Sequence, residues 1–220
     1  PQNAKTFVSD LEKVRAFITM GEKTIVSLAP AYLGIFDYDK PGQVVDALLR
    51  LGFSEVRETA EGAAYVTEAY TRLLAEGQMK NIISTCCPSV NELVEKYYPE
   101  LAEYMAPVVS PMIAHGKLIK SMYGPDVKVV FVGPCIAKKQ EAEGDDRTTG
   151  FVDAVLNFEE IESWLQERDI SIRECEEKQP TNPDPKVNRL YPVTSGVISS
   201  VLAKKKVDSY KKIFVDGIED

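Results

Sequence analysis

Strand-like and helix-like patterns alternate along the whole chain. Runs rich in apolar and β-branched residues predict buried strands within 23–31, 54–62, 81–87, 126–135, the start of 154–170 and 211–217. Apolar residues at helical spacing predict helices within 6–21, 40–53, 63–77, 89–101, 137–144, the rest of 154–170 and 193–205. Strands that alternate with helices are typical of parallel sheets built from βαβ units, in which both faces of the sheet are covered.

This alternation predicts an α/β fold of two lobes. Each lobe is expected to be a mostly parallel twisted sheet flanked by helices, with the active-site cleft between the lobes. We place the boundary within 115–126, which gives an N-terminal lobe at 1–118 and a C-terminal lobe at 119–220 that is incomplete at its end. The chain begins without methionine, so further sequence is expected before Pro1 and after Asp220.

Composition narrows the class of protein. The net charge is −8, which does not favour the clustered basic surface that nucleic-acid binding requires. No apolar stretch reaches membrane-spanning length, and no signal peptide opens the chain. Four cysteines in 220 residues are too few for a disulfide framework. We therefore expect a cytoplasmic protein, without nucleic-acid or membrane partners, whose cysteines serve chemistry, metal binding or packing.

Three predicted strand ends combine a proline with small or sulfur-bearing residues. They read SLAPA at 27–31, STCCP at 84–88 and VGPC at 132–135. Ligands of parallel sheets bind beyond the carboxyl ends of strands, so Cys86, Cys87 and Cys135 are expected to converge on one site. Thiolates are soft ligands of iron–sulfur clusters, zinc or copper(I), but a buried cysteine at a strand end is also a common packing residue. The local pattern leaves both interpretations open.

The sequence around these cysteines resembles a known family. STCCPSVNELVEKYYPEL at 84–101 is similar to T-S-C-C-P-x-W, the first motif in the catalytic domain of iron-only ([FeFe]) hydrogenases. GPCIAKKQEAE at 133–143 is similar to the second motif, M-P-C-x-x-K-x-x-E. Further stretches resemble the family in the same order, at 27–36, 108–120, 151–161 and 191–202. The resemblance covers nearly the whole chain.

The resemblance implies a cofactor and a reaction. The cofactor is the H-cluster, a [4Fe–4S] cubane joined to a two-iron centre that carries carbon monoxide and cyanide, and the reaction is 2H⁺ + 2e⁻ ⇌ H₂. By position, Cys87 and Cys135 correspond to cubane ligands, and Cys86 to the cysteine that passes protons to the two-iron centre. Lys138 corresponds to the lysine that hydrogen-bonds a cyanide, and Glu141 is expected to pair with a nearby charge. A position between strand and helix predicts a low thiol pKa for Cys86.

The resemblance also assigns residues around the cofactor. Ala29, Pro30 and Ala31 correspond to the loop that lines the two-iron centre, and Ser110 and Pro134 are predicted to contact the cofactor. Outside the motifs, three residues are interpreted as structural or incidental. These are His115, as packing or a contact between lobes, Trp164, as core, and Cys175, as incidental.

The chain departs from the family pattern around the two-iron centre and the proton route. The departures are Gly133 for a methionine, Val90 for a tryptophan, Met112 and Ile113 for two glutamines, and Ala106 for a serine of the proton path. Glu68 is the one helix glutamate we consider for that path. These differences predict a sensory or low-activity hydrogenase. The third motif, which supplies the last two cubane ligands, is absent, so the 220-residue chain alone is predicted to be inactive and unable to hold the complete H-cluster.

The family also implies partners. They are upstream ferredoxin-like cluster domains or a ferredoxin, hydrogenase maturation proteins, and a downstream signalling domain. Two other functions stay open from the sequence. One is an iron–sulfur scaffold or electron-transfer protein without H₂ activity, against which Cys86 and Lys138 argue because a bare cubane needs neither a proton donor nor a cyanide partner. The other is a flavodoxin-like module that binds a small ligand in the cleft.

Overall fold

The computed structural model of the chain describes residues 8–144, 147–182, 186–204 and 210–214. The strands are β1 (Thr24–Leu28), β2 (Glu55–Glu58), β3 (Lys128–Val132) and β4 (Ala154–Leu156). The α-helices are α1 (Leu11–Thr19), α2 (Gly42–Arg50), α3 (Ala60–Glu76), α4 (Pro88–Tyr97), α5 (Pro111–Tyr123), α6 (Ala137–Glu143), α7 (Phe158–Glu167) and α8 (Gly196–Lys204). Short 3₁₀ helices lie at Pro30–Gly34, Pro99–Tyr104, Ile172–Glu174 and Lys186–Leu190.

Within the described residues, the strands form one parallel sheet in the order β2-β1-β3-β4. Val26 at the centre of β1 pairs with Val56 on one side and with Val130 on the other. Every residue of β1 and β4 is buried, as is all of β3 after its first residue. Helices on both faces of a parallel sheet require such continuous apolar strands, and the predicted α/β class is confirmed.

The sheet crosses the predicted lobe boundary. β1 and β2 come from 1–118 and β3 and β4 from 119–220, and β1 pairs with β3 along its whole length. The boundary itself falls inside α5. The described strands of both predicted lobes therefore share one sheet, and the division of the chain at 118/119 stays a prediction.

One predicted strand, 81–87, is wrong. The segment is irregular and forms only an isolated bridge between Ile83 and Met105. The Ile83 N–H donates to Tyr104 O at 2.7 Å, and the Ala106 N–H donates to Ile83 O at 2.9 Å. Of the predicted terminal strand 211–217, residues 211–214 are irregular and 215–217 lie outside the described residues.

The outer strands are hydrogen-bonded by other parts of the chain. On β2, the Thr181 N–H donates to Val56 O at 2.9 Å, and the Glu58 N–H donates to Asn182 Oδ1 at 2.7 Å. On β4, the Val155 N–H donates to Asp10 Oδ2 at 2.8 Å, and Lys139 Nζ donates to Val155 O at 2.5 Å. Thr181 and Asn182, in the polar segment after α7, thus occupy backbone groups at the outer edge of β2.

Helices α3 and α5 approach each other very closely. A Cβ added at Gly62 would lie 2.4 Å from Pro111 O and 2.7 Å from His115 N, so only glycine allows this contact. At the other end of α3, Gly77 ends the helix in the left-handed conformation (φ 64°). None of the helices in the described ranges has the length and hydropathy needed to cross a membrane.

The buried side chains form a main core around the sheet and a smaller cluster beside it. Trp164 packs in the main core, as predicted, and stacks edge-on against Phe53. The smaller cluster consists of Val66, Tyr70, Ala106 and Val201, with Cys86 packed against it. Because Cys86 belongs to this cluster, helix α3 and the segment 82–86 are fixed relative to each other.

Candidate functional site

Cys87 lies at the start of α4. Its backbone is extended (φ −106°, ψ 109°), and Pro88 occupies the first helical position, where the missing N–H costs nothing. The Cys87 side chain is exposed, and Cys86 directly before it is partly buried. The two adjacent thiols therefore have different surroundings, one open to solvent and one packed against the small cluster.

Cys135 follows the end of β3 and lies two residues before α6. It is partly buried, between an exposed Pro134 and an exposed Ile136. Gly133, at the position of the family's methionine, has no room for a side chain. A Cβ there would lie 2.7 Å from the Phe131 ring and 2.9 Å from the Cβ of Ala29. The Phe131 ring thus occupies the space into which a side chain at position 133 would project.

Lys138 joins the two cysteine motifs. Its Nζ donates to the main-chain O of Cys86 at 3.2 Å and to Glu141 Oε2 at 2.5 Å. Lys138 is 9% exposed, and the side chains of this ion pair are about equally buried. The structure therefore brings Cys86, Lys138 and Glu141 together, with Cys87 next to Cys86 in the chain.

The predicted low pKa of Cys86 is wrong. Burial raises the pKa of the Cys86 thiol to about 11, although the Tyr70 hydroxyl and the Lys138 ammonium both act to lower it. The low pKa was predicted from a position at the start of a helix. Cys86 instead precedes the N-cap residue Cys87 and packs against an apolar cluster. Desolvation of the thiolate is the dominant effect.

Sequence reasoning missed the hydroxyl groups beside Cys86. Tyr70 accepts the Thr85 N–H at 2.9 Å, and its hydroxyl acts to lower the pKa of the Cys86 thiol. The Thr85 hydroxyl lies 3.3 Å from the Tyr70 hydroxyl and donates to Val108 O at 2.6 Å. The only sequence signal was Tyr70 at a buried helical position, which looks like any core tyrosine.

The loop at Ala29–Ala31 follows β1, the strand next to β3. The Ala29 N–H donates to Val132 O at 2.8 Å, so the loop is tied to the end of β3 just before Gly133. Ala29 and Pro30 are buried, and Ala31 is partly buried. The first and third predicted strand ends therefore lie side by side, as the sequence predicts for neighbouring parallel strands.

Ser110 has a local structural role. It is 1% exposed and caps α5 by accepting a hydrogen bond from the Ile113 N–H at 3.5 Å. It also lines a groove of about 930 Å³ between α4, α6 and the segment 102–110, to which Thr85, Ala106 and Glu141 contribute. Glu68, the carboxylate considered for the proton path, lies on α3 and pairs with Arg72 at 3.3 Å.

His115 is a buried packing residue, as interpreted from the sequence. Its Nδ1 lies 2.7 Å from Ser27 Oγ and its Nε2 lies 3.1 Å from Glu61 Oε2. Arg57 binds the same Glu61 carboxylate through two nitrogens, at 3.0 and 2.9 Å. Since His115 is fully buried, this network has no route for a substrate. Cys175 is also buried and donates its thiol hydrogen to Ser171 O at 3.4 Å.

The thiols of Cys87 and Cys135 have the donor chemistry of iron ligands, but a cubane normally takes four thiolates. The Cys87 side chain is exposed and the Cys135 side chain is partly buried, and thiolates are the soft donors that iron–sulfur clusters use. In the described ranges, no three side chains of His, Cys, Asp or Glu are grouped closely enough to hold a metal ion. The residues present therefore fit two of the four thiolate positions that a cubane normally takes.

A protein-family model described as the iron-only hydrogenase large subunit, C-terminal domain, matches residues 22–219. This chain belongs to that family. Among curated hydrogenases, it is 28% identical over 236 residues to iron hydrogenase 1 of Clostridium pasteurianum, covering 94% of this chain and 40% of that protein. It is 29% identical over 213 residues to the periplasmic [Fe] hydrogenase large subunit of Nitratidesulfovibrio vulgaris, covering 81% and 48%.

Solved structures of [FeFe] hydrogenases have the same fold. An apo [FeFe]-hydrogenase HydA1 from Chlamydomonas reinhardtii matches with a TM-score of 0.67 and 26% identity, covering 80% of this chain and 52% of that one. A variant of HydA1 matches with a TM-score of 0.71 and 26% identity, covering 89% and 57%. The chain thus spans less than half of those curated hydrogenases and about half of the HydA1 chains.

Proposed function

We propose that this chain is the part of an [FeFe]-hydrogenase H-cluster domain that carries its first two cysteine motifs, and that the whole protein catalyses 2H⁺ + 2e⁻ ⇌ H₂. One observation carries the proposal. Lys138 of the second motif donates to Cys86 of the first, so residues with separate roles in the family pattern lie at one site. A protein that shared only the fold of these hydrogenases would not need that contact.

Cys87 and Cys135 are proposed to hold iron through their sulfur atoms. Their partial exposure leaves the thiols open to incoming iron, whereas Cys175 is sealed in the core. The other two thiolates would come from a third motif after Asp220. When bound, the H-cluster supplies the redox chemistry that joins protons and electrons into H₂ or separates them again.

Lys138 is proposed to hold an anionic ligand of the cofactor. An ammonium group has three N–H donors, and among the described residues two of them are used, by Cys86 O and by Glu141. The third is left to donate to a cyanide. Glu141 holds the ammonium in place and balances its charge inside a poorly solvated site.

Cys86 is proposed to pass protons, on the basis of its motif position. Its side chain packs against the small cluster that contains Tyr70. Ala29, Pro30, Ala31 and Pro134 are proposed to exclude water around the two-iron centre. Ser110 is proposed to act indirectly, since its hydroxyl caps α5.

The departures from the family pattern support a sensory or low-activity type. Gly133 stands where the family has a flexible methionine, the Phe131 ring fills the space beside it and the Ala29 loop, and Ala106 has no hydroxyl to carry a proton. Electron supply by ferredoxin-like domains or a ferredoxin, dependence on maturation proteins, a downstream signalling domain and a cytoplasmic location are parts of the same proposal. Turnover of H₂ by the mature protein at the rate of fast hydrogenases would contradict the sensory assignment.

Infrared spectroscopy of the full-length protein, matured with its two-iron centre, tests the proposal. We expect carbon monoxide and cyanide bands in the unaltered protein, and their loss in Cys135→Ala. Cys175→Ser is the matched control, because it changes a cysteine outside the site, and its bands should persist. Cubane absorption without these bands would favour the iron–sulfur scaffold instead. Absence of both iron signals in soluble, folded protein would overturn the hydrogenase proposal.

A further inference from the structure

The carboxylate of Glu58, the last residue of β2, is completely buried and bound at both oxygens. Arg189 Nε donates to Oε2 and Arg189 Nη2 donates to Oε1, each at 2.7 Å. A buried carboxylate requires such a partner, since an unpaired charge in the interior is strongly destabilising. The parallel fork of guanidinium N–H groups also fixes the direction of approach, which a lysine cannot do.

The same carboxylate holds the loop after β1. The Tyr32 hydroxyl donates to Glu58 Oε1 at 3.3 Å, and the Tyr32 side chain is 2% exposed. Burial and the Glu58 carboxylate raise the pKa of Tyr32, so its phenol keeps the proton that it donates. Tyr32 directly follows Ala31, and its N–H donates to Ala29 O at 3.1 Å.

Arg189 comes from a segment that is itself anchored on α3. The Thr67 hydroxyl donates to Asn188 Oδ1 at 3.2 Å and lies 2.9 Å from the Tyr191 hydroxyl. A Cβ at Gly196 would lie 1.7 Å from Leu190 O, so the start of α8 presses directly on this segment. The residues on both sides of Arg189 are therefore anchored on α3 and α8.

We infer that Arg189, Glu58 and Tyr32 form a clamp that fixes the Ala29–Ala31 loop, and that Arg189 is a positioning residue for the cofactor site. The positioning role rests on the proposed function, which assigns the loop to the cofactor site. The clamp itself does not depend on that function. Arg189 and Glu58 are 131 residues apart in the chain, and neither lies in a cysteine motif. The clamp explains how a short loop ending in a 3₁₀ helix keeps one conformation beside the cleft.

Hydrogen–deuterium exchange of the 220-residue chain tests the clamp without iron. In Arg189→Met, the amides of Tyr32 and Ile35 are expected to exchange about tenfold faster, because the loop opens locally. Arg57→Met is the matched control. Arg57 is likewise a bidentate partner of a glutamate that follows β1 in the chain, and its side chain is more deeply buried than that of Arg189, but it hydrogen-bonds Tyr123 of α5 and not the loop. Equal protection of the loop in both variants, or equal loss in both, would overturn the clamp.

A second pair of variants separates clamping from folding. Tyr32→Phe removes one hydroxyl, keeps the ring in the core, and should speed exchange of the loop by a smaller factor than Arg189→Met. Arg189→Lys keeps a charge but loses the fork, and should fall between the unaltered chain and Arg189→Met. If Arg189→Met does not fold, unchanged loop exchange in Tyr32→Phe and Arg189→Lys is the result that overturns the clamp.

The positioning role needs a readout from the cofactor. In matured full-length protein, Arg189→Lys and Tyr32→Phe should shift the carbon monoxide and cyanide infrared bands at unchanged iron content, whereas Arg57→Lys should not. Unshifted bands would overturn the positioning role. If the unaltered protein has no such bands, the proposed function fails and the positioning role fails with it, while the exchange results still decide whether the clamp exists.

Discussion

Lys138 Nζ lies 3.2 Å from the main-chain oxygen of Cys86, a residue 52 positions earlier in the chain. This single hydrogen bond connects the residue before the N-cap of α4 with the first turn of α6. The same ammonium is 2.5 Å from Glu141 Oε2, so the bridge between the motifs carries an ion pair with little exposure to water.

Replacing Lys138 by methionine should lower the free energy of unfolding by about 3 kcal/mol, because Glu141 and Cys86 O both lose their partner. The double variant Lys138→Met, Glu141→Gln should recover a large part of that loss, because no unpaired charge then stays buried. Urea unfolding of the single and double variants measures both effects.

The exposed pair Lys96–Glu92 on α4 provides the control for that experiment. Lys96→Met should change stability by about 0.5 kcal/mol or less, since solvent screens this pair. A similar loss of stability in Lys96→Met and Lys138→Met would mean that the buried bridge between the motifs contributes no more to stability than an exposed ion pair.

Stability should fall as the pH drops below about 6.5, because of His115. Burial lowers the pKa of His115, and this outweighs the opposing effect of its hydrogen bond to Glu61. The unfolded chain then binds more protons than the folded one between the lowered pKa and about 6.5. Stability therefore rises with pH across that window, with a slope of up to about 1.4 kcal/mol per pH unit.

Urea unfolding at closely spaced pH values, from about pH 5 to pH 8, measures this slope. His115 is the only histidine in the chain, so few other groups titrate there. In His115→Phe the slope should largely disappear, at a cost of about 1–3 kcal/mol because Ser27 and Glu61 lose a partner. Persistence of the slope in this variant would assign it to another group.

Cys86 should react slowly with iodoacetamide in the iron-free chain. Its thiol is packed against the small cluster, and its raised pKa leaves little thiolate at pH 8. In a variant that keeps Cys86 as its single cysteine, alkylation should be at least about 20-fold slower in the folded chain than in urea. A variant that keeps only Cys87 should differ much less between the two conditions, because that side chain is exposed. Equal protection of both thiols would contradict the burial difference.

Asp169 is a position where glycine should stabilise the protein. It follows α7 with φ 52°, a left-handed conformation that disfavours residues with a Cβ. Asp169→Gly should raise the free energy of unfolding by about 0.5 kcal/mol, after allowing for the greater freedom of glycine in the unfolded chain. Gly77→Ala, at the equivalent end of α3, is the opposite test and should cost about 1 kcal/mol. Thermal or urea unfolding checks both signs.

The sheet was predictable because its signal is local. TIVSL and KVVFV are mostly apolar runs, as expected for strands that are buried on both faces of a sheet. The run at 81–87 has similar composition but lacks strand neighbours. The Ile83 backbone bonds Tyr104 and Ala106, whereas the Thr85 N–H and Cys86 O bond the side chains of Tyr70 and Lys138. The composition of a run predicts that it is buried. A strand also needs a neighbouring strand to pair with, and the run alone does not predict that neighbour.

The site was predictable from its motifs but not its electrostatics. Lys138, Cys86 and Glu141 were brought together by spacing and resemblance, and the structure places them in contact. The raised pKa of Cys86 comes from its burial against the small cluster beside α3, and Glu58 pairs with a residue 131 positions away. Such interactions join distant segments, so the local sequence around Glu58 predicts a short strand but not the partner of its carboxylate.

The hydrogen bonds made to Val56, Glu58 and Val155 by other segments have a consequence for the protein before it receives iron. A parallel sheet with free outer strands offers unpaired backbone groups to any similar strand from another molecule, and so promotes strand-to-strand aggregation. Here Thr181, Asn182, Asp10 and Lys139 occupy those backbone groups within the chain itself. The outer strands of the sheet are therefore poor templates for a strand of another molecule, and this protection needs no metal.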